Sequence, residues 1–437
     1  MSHLIVTGGT PLRGTVRTLG AKNSALALLS ATLLLEGTSE LRGVPRLTDV
    51  TSMMRILEAV GARVSTGPYE DGQLTVTVHA EEVRDTRVAP ELMETMRSSV
   101  YLLGALVGRL GRAVVAYPGG CRIGARPIDL HLKGLAALGV RVEEREDGLL
   151  AEVADGGLEG APIHLDFPSV GATVNILLAA VRARGRTVIE GAAREPEVVD
   201  LARFLNLGGA SIRGAGTSVI TVEGTRRLEG ARMNVMPDRI EAGTLLLTAA
   251  ATGGEIYLQG PVARYLKSPI ELLRRSGAQV DATPDGIAIE GPPGGRPLGV
   301  DAATHPYPGF ATDLQPVFLA YLTRARGPSV LRETIFENRF RHVEGLRDMG
   351  AQIRVAGRTA VVDGVPTLRG RNVTATDLRA AGAFVVAGLA AEATTRIYGL
   401  EHLDRGYQDL SRRLSALGAY AERSDDVGEH EAEAEVS

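Results

Sequence analysis

Six stretches decide the architecture: ILEAVGARV (56–64), LAALGVRV (135–142), FLNLGGASI (204–212), LLRRSGAQV (272–280), LRDMGAQI (346–353) and LSALGAYA (414–421). Each runs from a helix-like apolar pattern through Gly and then Ala or Val into a β-type segment. The Gly suits a helix C-terminus, where a left-handed residue closes the last turn. Successive copies lie roughly 70 residues apart, longer than the usual solenoid periods, so each copy is a small α/β unit of its own. Within the units an earlier apolar helix also leads into a strand, as in LGALVGRLGRAVVAYPGG (103–120), AAVRARGRTVIEG (179–191), LTAAATGGEIYLQG (247–260) and VAGLAAEATTRIYG (386–399). Six such units in two sets of three predict an α/β protein of two similar domains, helices inside and sheets outside.

The 437 residues, 44% of them hydrophobic, are too many for one ordinary domain. The pattern places residues 1–21 with 236–423 in a discontinuous domain and 22–235 in an inserted one, with crossings near Ala21 and Lys22 and near Pro237 and Asp238. The end, SDDVGEHEAEAEVS (424–437), is acidic with almost nothing to bury and reads as a disordered tail.

A formal net charge of −4, with Arg mixed among Glu and Asp, provides no basic stripe for nucleic acid. Apolar runs such as Ala25 to Leu35 fall short of the roughly 18–20 residues that span a bilayer. MSHLIVTGGTPLRG lacks the basic and apolar regions of a signal peptide, so a cytoplasmic location is expected. A single cysteine excludes an intrachain disulfide.

That cysteine sits in YPGGCRIGARPIDLH (117–131), a loop by its glycines and proline. A lone Cys is most often a small buried hydrophobe. Here Arg122 and Arg126 flank Cys121, and nearby cations favour the reactive thiolate. Lys22, Arg97, Arg126, Arg339, Arg379 and Arg405 form a set of loop cations able to hold a small substrate with both phosphate and carboxylate, although singly each reads as a surface ion pair. Asp313 and Asp377 each occupy a Thr-Asp-Leu tripeptide ahead of an apolar helix. An N-cap is the plain reading of both, and the Pro- and Gly-rich loop before Asp313 favours a functional role for that one.

LGAKN (19–23), the cysteine loop, SVGATVN (169–175), AAREPEVVD (192–200), PDRIEAGT (237–244), ETIFENRF (333–340), TATDLRA (374–380) and HLDRGY (402–407) resemble, in order, the motifs of the bacterial UDP-N-acetylglucosamine enolpyruvyl transferases. The resemblance extends to about Arg423. It implies two inside-out α/β barrel domains of βαβαββ repeats with the active site in a cleft between them. The substrates it implies are phosphoenolpyruvate and UDP-N-acetylglucosamine, without metal or cofactor, in the first committed step of peptidoglycan precursor synthesis. Cys121 would protonate the methylene carbon, Lys22, Arg126 and Arg405 would grip phosphate, and Arg339 and Arg379 would face the carboxylate. Asp313 would take the proton of the sugar 3-hydroxyl, and Asp377 would assist the later loss of a methyl proton. Asn23, Arg97, Arg126, Pro127, Ile128, Asp129, Leu130, Ser169, Val170, Gly171 and the Ile335 backbone would hold the UDP-sugar. Phe167 and Pro168 stand where some members carry a Lys, and Ala311 where a Pro is usual, which would loosen the Asp313 loop. Lys22, Arg126, Arg339, Arg379 and Arg405, uncompensated, are expected to repel one another until substrate binds. A sister enzyme acting on shikimate 3-phosphate shares the fold but lacks the cysteine loop. A silent regulatory paralogue would have lost members of this set.

If Cys121 delivers a proton, Cys121→Asp retains useful activity with an optimum shifted toward acid, because a carboxylic acid also donates a proton. Cys121→Ser is nearly inactive, a hydroxyl being too weak an acid. Steady-state rates across pH check this, and equal activity of the two variants would remove the acid role.

Overall fold

In a computed structural model, residues 2–117, 119, 128–146 and 148–424 are described. They form two compact units, a terminal one from residues 2–18 and 239–424 and an inserted one from residues 19–238.

The first reason for the fold is the set of helices that are apolar on nearly every side. In the terminal unit Arg239–Thr252, Gln315–Leu322 and Leu378–Ala390 pack on one another. In the inserted unit Lys22–Thr32, Tyr101–Leu110 and Val170–Ala180 play that part. A helix without a polar face is stable only when covered all round. Small residues let the helices approach closely: a Cβ at Gly104 would lie 2.4 Å from the Asn175 carbonyl oxygen.

Sheets supply the cover, and they repeat one topology. The strand that leaves a central helix pairs on one side with a parallel strand and on the other with an antiparallel one, itself the inner strand of an antiparallel pair. In the inserted unit Thr38–Val44 lies between Arg232–Asn234, parallel, and Leu74–His79, antiparallel. Arg186–Glu190 lies likewise between Pro162–His164 and Val219–Glu223. The third sheet has three strands among the described residues, and a bridge from Arg87 to Val114 stands for the parallel one. In the terminal unit the N-terminal segment completes two sheets. Arg13–Arg17 runs parallel to Glu255–Gln259, and His3–Thr7 inserts between Thr394–Tyr398 and Tyr420–Ser424. Ser424, read as tail, is therefore the last residue of a strand, opposite His3.

Each stretch quoted at the outset closes a helix as its Gly suggests. Gly61, Gly139, Gly209, Gly277, Gly350 and Gly418 have φ of 101, 89, 98, 97, 94 and 90°. At five of them the following Ala N–H reaches back to a Leu carbonyl on the last helical turn, as in Ala62 to Leu57 and Ala351 to Leu346, both 3.0 Å. These bonds satisfy carbonyls that the helix end would otherwise leave orphaned. The double glycine of FLNLGGASI divides its labour: Gly209 takes the left-handed position, and Gly208 sits too close to Leu35 and the Glu229 carbonyl for a Cβ.

Gly350 isolates the backbone term, since nothing lies within 4 Å of a Cβ built there. Gly350→Ala is expected to destabilise by ~1–2 kcal/mol from its positive φ alone. Gly67→Ala, in the strand Arg63–Pro68 and equally unobstructed, is expected to stay within about 0.5 kcal/mol. Denaturant midpoints of the two variants check this.

Candidate active site

In the terminal unit the sequence-predicted residues converge on Asp313. It lies in the turn Thr312–Leu314 directly before the Gln315–Leu322 helix. Arg339 gives its Nη2 to Asp313 Oδ1 at 2.5 Å, and Arg379 gives its Nη2 to Oδ2 at 2.8 Å. Both guanidinium groups are buried. Arg339 is fixed further by Nε and Nη2 donating to the Thr312 carbonyl at 3.2 and 3.0 Å. Arg379 lies over the Tyr407 ring, 6.0 Å from its centroid, and Arg405 lies in the turn just before Tyr407. Burial by itself raises the Asp313 pKa. Arg379 and Arg339, with Arg239 further off, overcome it and hold the carboxyl well below the usual carboxylate range.

Asp377 has the other reading. Its Oδ1 accepts from the Arg379 and Ala380 N–H groups at 2.9 and 3.1 Å, capping the Leu378–Ala390 helix. Thr376 Oγ1 lies 3.3 Å from its Oδ2. Behind this cluster the His342 ring is buried, and burial foremost pushes its pKa down to about 4 despite the nearby Asp377.

Glu333, which opens the ETIFENRF motif but takes no role from the sequence, organises the loop. Its Oε1 accepts from Thr304 Oγ1 (3.0 Å) and the Ile335 and Phe336 N–H groups (2.8 and 3.1 Å), and its Oε2 from Thr312 Oγ1 (3.0 Å). Of the Ile335 backbone, the N–H is thus engaged within the chain and the carbonyl is what a ligand would meet. The Asp313 turn is not loosened by Ala311, whose φ of −66° matches a proline's and whose carbonyl accepts the Leu314 N–H at 3.0 Å.

In the inserted unit Lys22 opens a buried helix. Its N–H donates to Asp238 Oδ2 at 3.2 Å, and its Nζ meets Asp49 Oδ2 at 2.7 Å, with the Lys22 and Asp49 side chains buried. The expected uncompensated repulsion is therefore corrected for three of its five cations, each of which has an anionic partner: Asp49 pairs with Lys22, and Asp313 bridges Arg339 and Arg379 and offsets one of their two charges. Asn23 is half-buried next to Lys22. Arg97 begins the turn Arg97–Val100, and its charge acts on His131. Ile128, Asp129 and Leu130 lead into the helix that carries His131, and Ser169, Val170 and Gly171 open the Val170–Ala180 helix, with Ser169 Oγ accepting from the Ala172 N–H at 3.3 Å. Gly171 lies against the His131 ring, so these segments form one locality. Cys121, Arg126 and Pro127 lie outside the described residues.

An α/β fold in which one arginine from a helix start and one from a turn converge on a carboxylate defines the class, and comparison with known proteins agrees. The family model for EPSP synthase (3-phosphoshikimate 1-carboxyvinyltransferase) matches residues 6–414. Among solved structures, the enolpyruvyl transferase NikO from Streptomyces tendae superposes with a TM-score of 0.85 at 27% identity, covering 97% of this chain and 99% of that one. EPSP synthase from Acinetobacter baumannii superposes at 0.73 with 20% identity over the same shares, a likeness of fold. The chain thus has the enolpyruvyl transferase fold. UDP-N-acetylglucosamine 1-carboxyvinyltransferase 1 of Carboxydothermus hydrogenoformans is 46% identical over 97% of this chain and 98% of its own length. The enzyme of the same name from Halalkalibacterium halodurans is 46% identical over 99% and 97%. The chain belongs to the UDP-N-acetylglucosamine 1-carboxyvinyltransferase family.

Proposed function

We propose that this chain transfers the enolpyruvyl group of phosphoenolpyruvate to the 3-hydroxyl of UDP-N-acetylglucosamine and releases phosphate, as a cytoplasmic enzyme of peptidoglycan precursor synthesis. The observation that carries it is the convergence of Arg339 and Arg379 on one carboxylate. The near-full-length relatives support the choice of acceptor. No helix among the described residues is long and apolar enough to cross a membrane.

The reaction is addition followed by elimination. Cys121 gives a proton to the methylene carbon, and the neighbouring carbon gains oxocarbenium character. Asp313 takes the proton of the sugar hydroxyl as its oxygen attacks that carbon, giving a tetrahedral ketal. A proton then leaves the new methyl group toward Asp377, through the Oδ2 that helix capping leaves over, and the carbon–oxygen bond to phosphate breaks. Lys22, Arg126 and Arg405 take the charge of the departing phosphate. The inside-out barrel arrangement of the two units and the distribution of these roles over both belong to the same reading.

Asp313 held by two arginines is a weak base. The carboxylate of phosphoenolpyruvate matches it in charge and shape, so substrate entering the Arg339 and Arg379 forks displaces Asp313, whose basicity then rises. Base strength is in this way tied to occupancy. The second reading, transfer to shikimate 3-phosphate, takes its support from the name of the matching family model.

Phosphate release from phosphoenolpyruvate separates the readings. Release dependent on UDP-N-acetylglucosamine and absent with shikimate 3-phosphate is expected. The reverse pattern would transfer the assignment to the second reading, and release with neither acceptor would remove both.

A further inference from the structure

Arg239, in the PDRIEAGT stretch, is a buried cation outside the roles given so far. It is the first residue of the Arg239–Thr252 helix, the end at which a helix favours anions over cations. Residues four apart share a helix face, and Gly243, one turn on, marks what that face meets. A Cβ at Gly243 would lie 2.7 Å from Leu314 Cδ1, so glycine lets the helix close on the turn that bears Asp313. Arg239 therefore stands beside the same turn.

The loop leading to Asp313 also engages Arg239. The His305 N–H donates to the Phe310 carbonyl and the Gly309 N–H to the Pro306 carbonyl, both at 2.9 Å, folding residues 305–310 into a tight turn. Within it the half-buried Tyr307 meets the Arg239 guanidinium, whose Cζ is 5.6 Å from the ring centroid, inside the range of a cation–π contact. The charged groups that act on Asp313 come from three elements: Arg379 and Arg339, which hold its two oxygens, and Arg239. Behind the first two stand Asp377 and the His342 ring.

We infer that Arg239 is a positioning residue, clamped by Tyr307, that receives the Asp313 carboxylate when the carboxylate of phosphoenolpyruvate takes over the Arg339 and Arg379 forks. This rests on the function proposed above. Burial raises the Asp313 pKa, so a carboxylate released from both arginines with no other cation would take up a proton and cease to be a base. One guanidinium in place of two keeps it ionised and leaves it a stronger base than in the resting chain. The Tyr307 ring limits where that guanidinium can go, which fixes the side of the turn on which the base works.

The test is the pH dependence of kcat for phosphate release by the full chain with both substrates saturating, since kcat reports groups of the substrate complex. Removing a cation from beside a carboxylate raises its pKa, so Arg239→Gln is expected to move the acid limb of the profile up by about one pH unit, a loss of about tenfold in rate below the limb. Its affinity for phosphoenolpyruvate is expected to fall far less than that of Arg379→Gln. Arg239→Lys, which keeps the charge, is expected to return the limb most of the way. Tyr307→Leu is expected to give a smaller shift in the same direction and Tyr307→Phe none, and this pair carries the test should Arg239→Gln not fold. A limb unmoved by Arg239→Gln, no recovery with Lys, like profiles for the two Tyr307 variants, or a loss of phosphoenolpyruvate affinity equal to that of Arg379→Gln would overturn the proposal. Wild type that releases no phosphate with UDP-N-acetylglucosamine would instead remove the function on which it rests.

Discussion

Three of the six buried helices begin with a cation, the charge that a helix N-terminus disfavours by about 0.3–1 kcal/mol. Lys22 and Arg239 are first residues, and Arg379 is second in its helix. A helix that is apolar on nearly all sides has mainly its ends to offer to polar chemistry, so within each unit the candidate residues gather at or near those ends. For two of these cations the fold supplies carboxylates: Asp49 pairs with Lys22, whose N–H donates to Asp238, and Asp313 pairs with Arg379, with Asp377 capping the same helix. The dipole and the arginine charge then act on a bound anion in the same sense.

The remaining contacts serve to keep these ends in place. Glu333 gathers two threonine hydroxyls and two backbone N–H groups, fixing the turn that bears Asp313 relative to the loop that leads to Arg339. Ser24 Oγ and the Met236 N–H both reach Asp200 Oδ2, at 2.5 and 3.2 Å, beside the Lys22 helix start. Burial raises the Asp200 pKa against the pull of those bonds. The six glycine-closed ends belong to six other helices, and five of them satisfy a last-turn carbonyl through the backbone alone.

Much of this was legible in the sequence because it is local. A left-handed Gly after an apolar helix and before a strand is a pattern of a few residues, and all six examples took the expected conformation. Lys22, Arg339, Arg379 and Asp313 stood out by type and by resemblance. Their partners did not, because pairing is set by the tertiary fold: Asp49 is 27 positions from Lys22, and Arg379 is 66 from Asp313. Hence three of the cations read as uncompensated proved to have carboxylate partners. Arg239 stood in a motif already quoted, yet nothing in one dimension shows that the Tyr307 ring meets it. Of the two Thr-Asp-Leu tripeptides, the loop before Asp313 already favoured a functional role for that one, and packing then showed Asp377 as a cap and Asp313 as an ion-paired carboxylate.

The central claim is that Arg339 and Arg379 are a carboxylate site which Asp313 occupies until phosphoenolpyruvate takes it. Calorimetric affinity for phosphoenolpyruvate, measured with UDP-N-acetylglucosamine present in a Cys121→Ser chain with and without Asp313→Asn, tests it most directly. The account predicts tighter binding once the competing charge is gone, whereas Arg379→Gln in the same background weakens it. Affinity that falls with Asp313→Asn as it does with Arg379→Gln would contradict the claim.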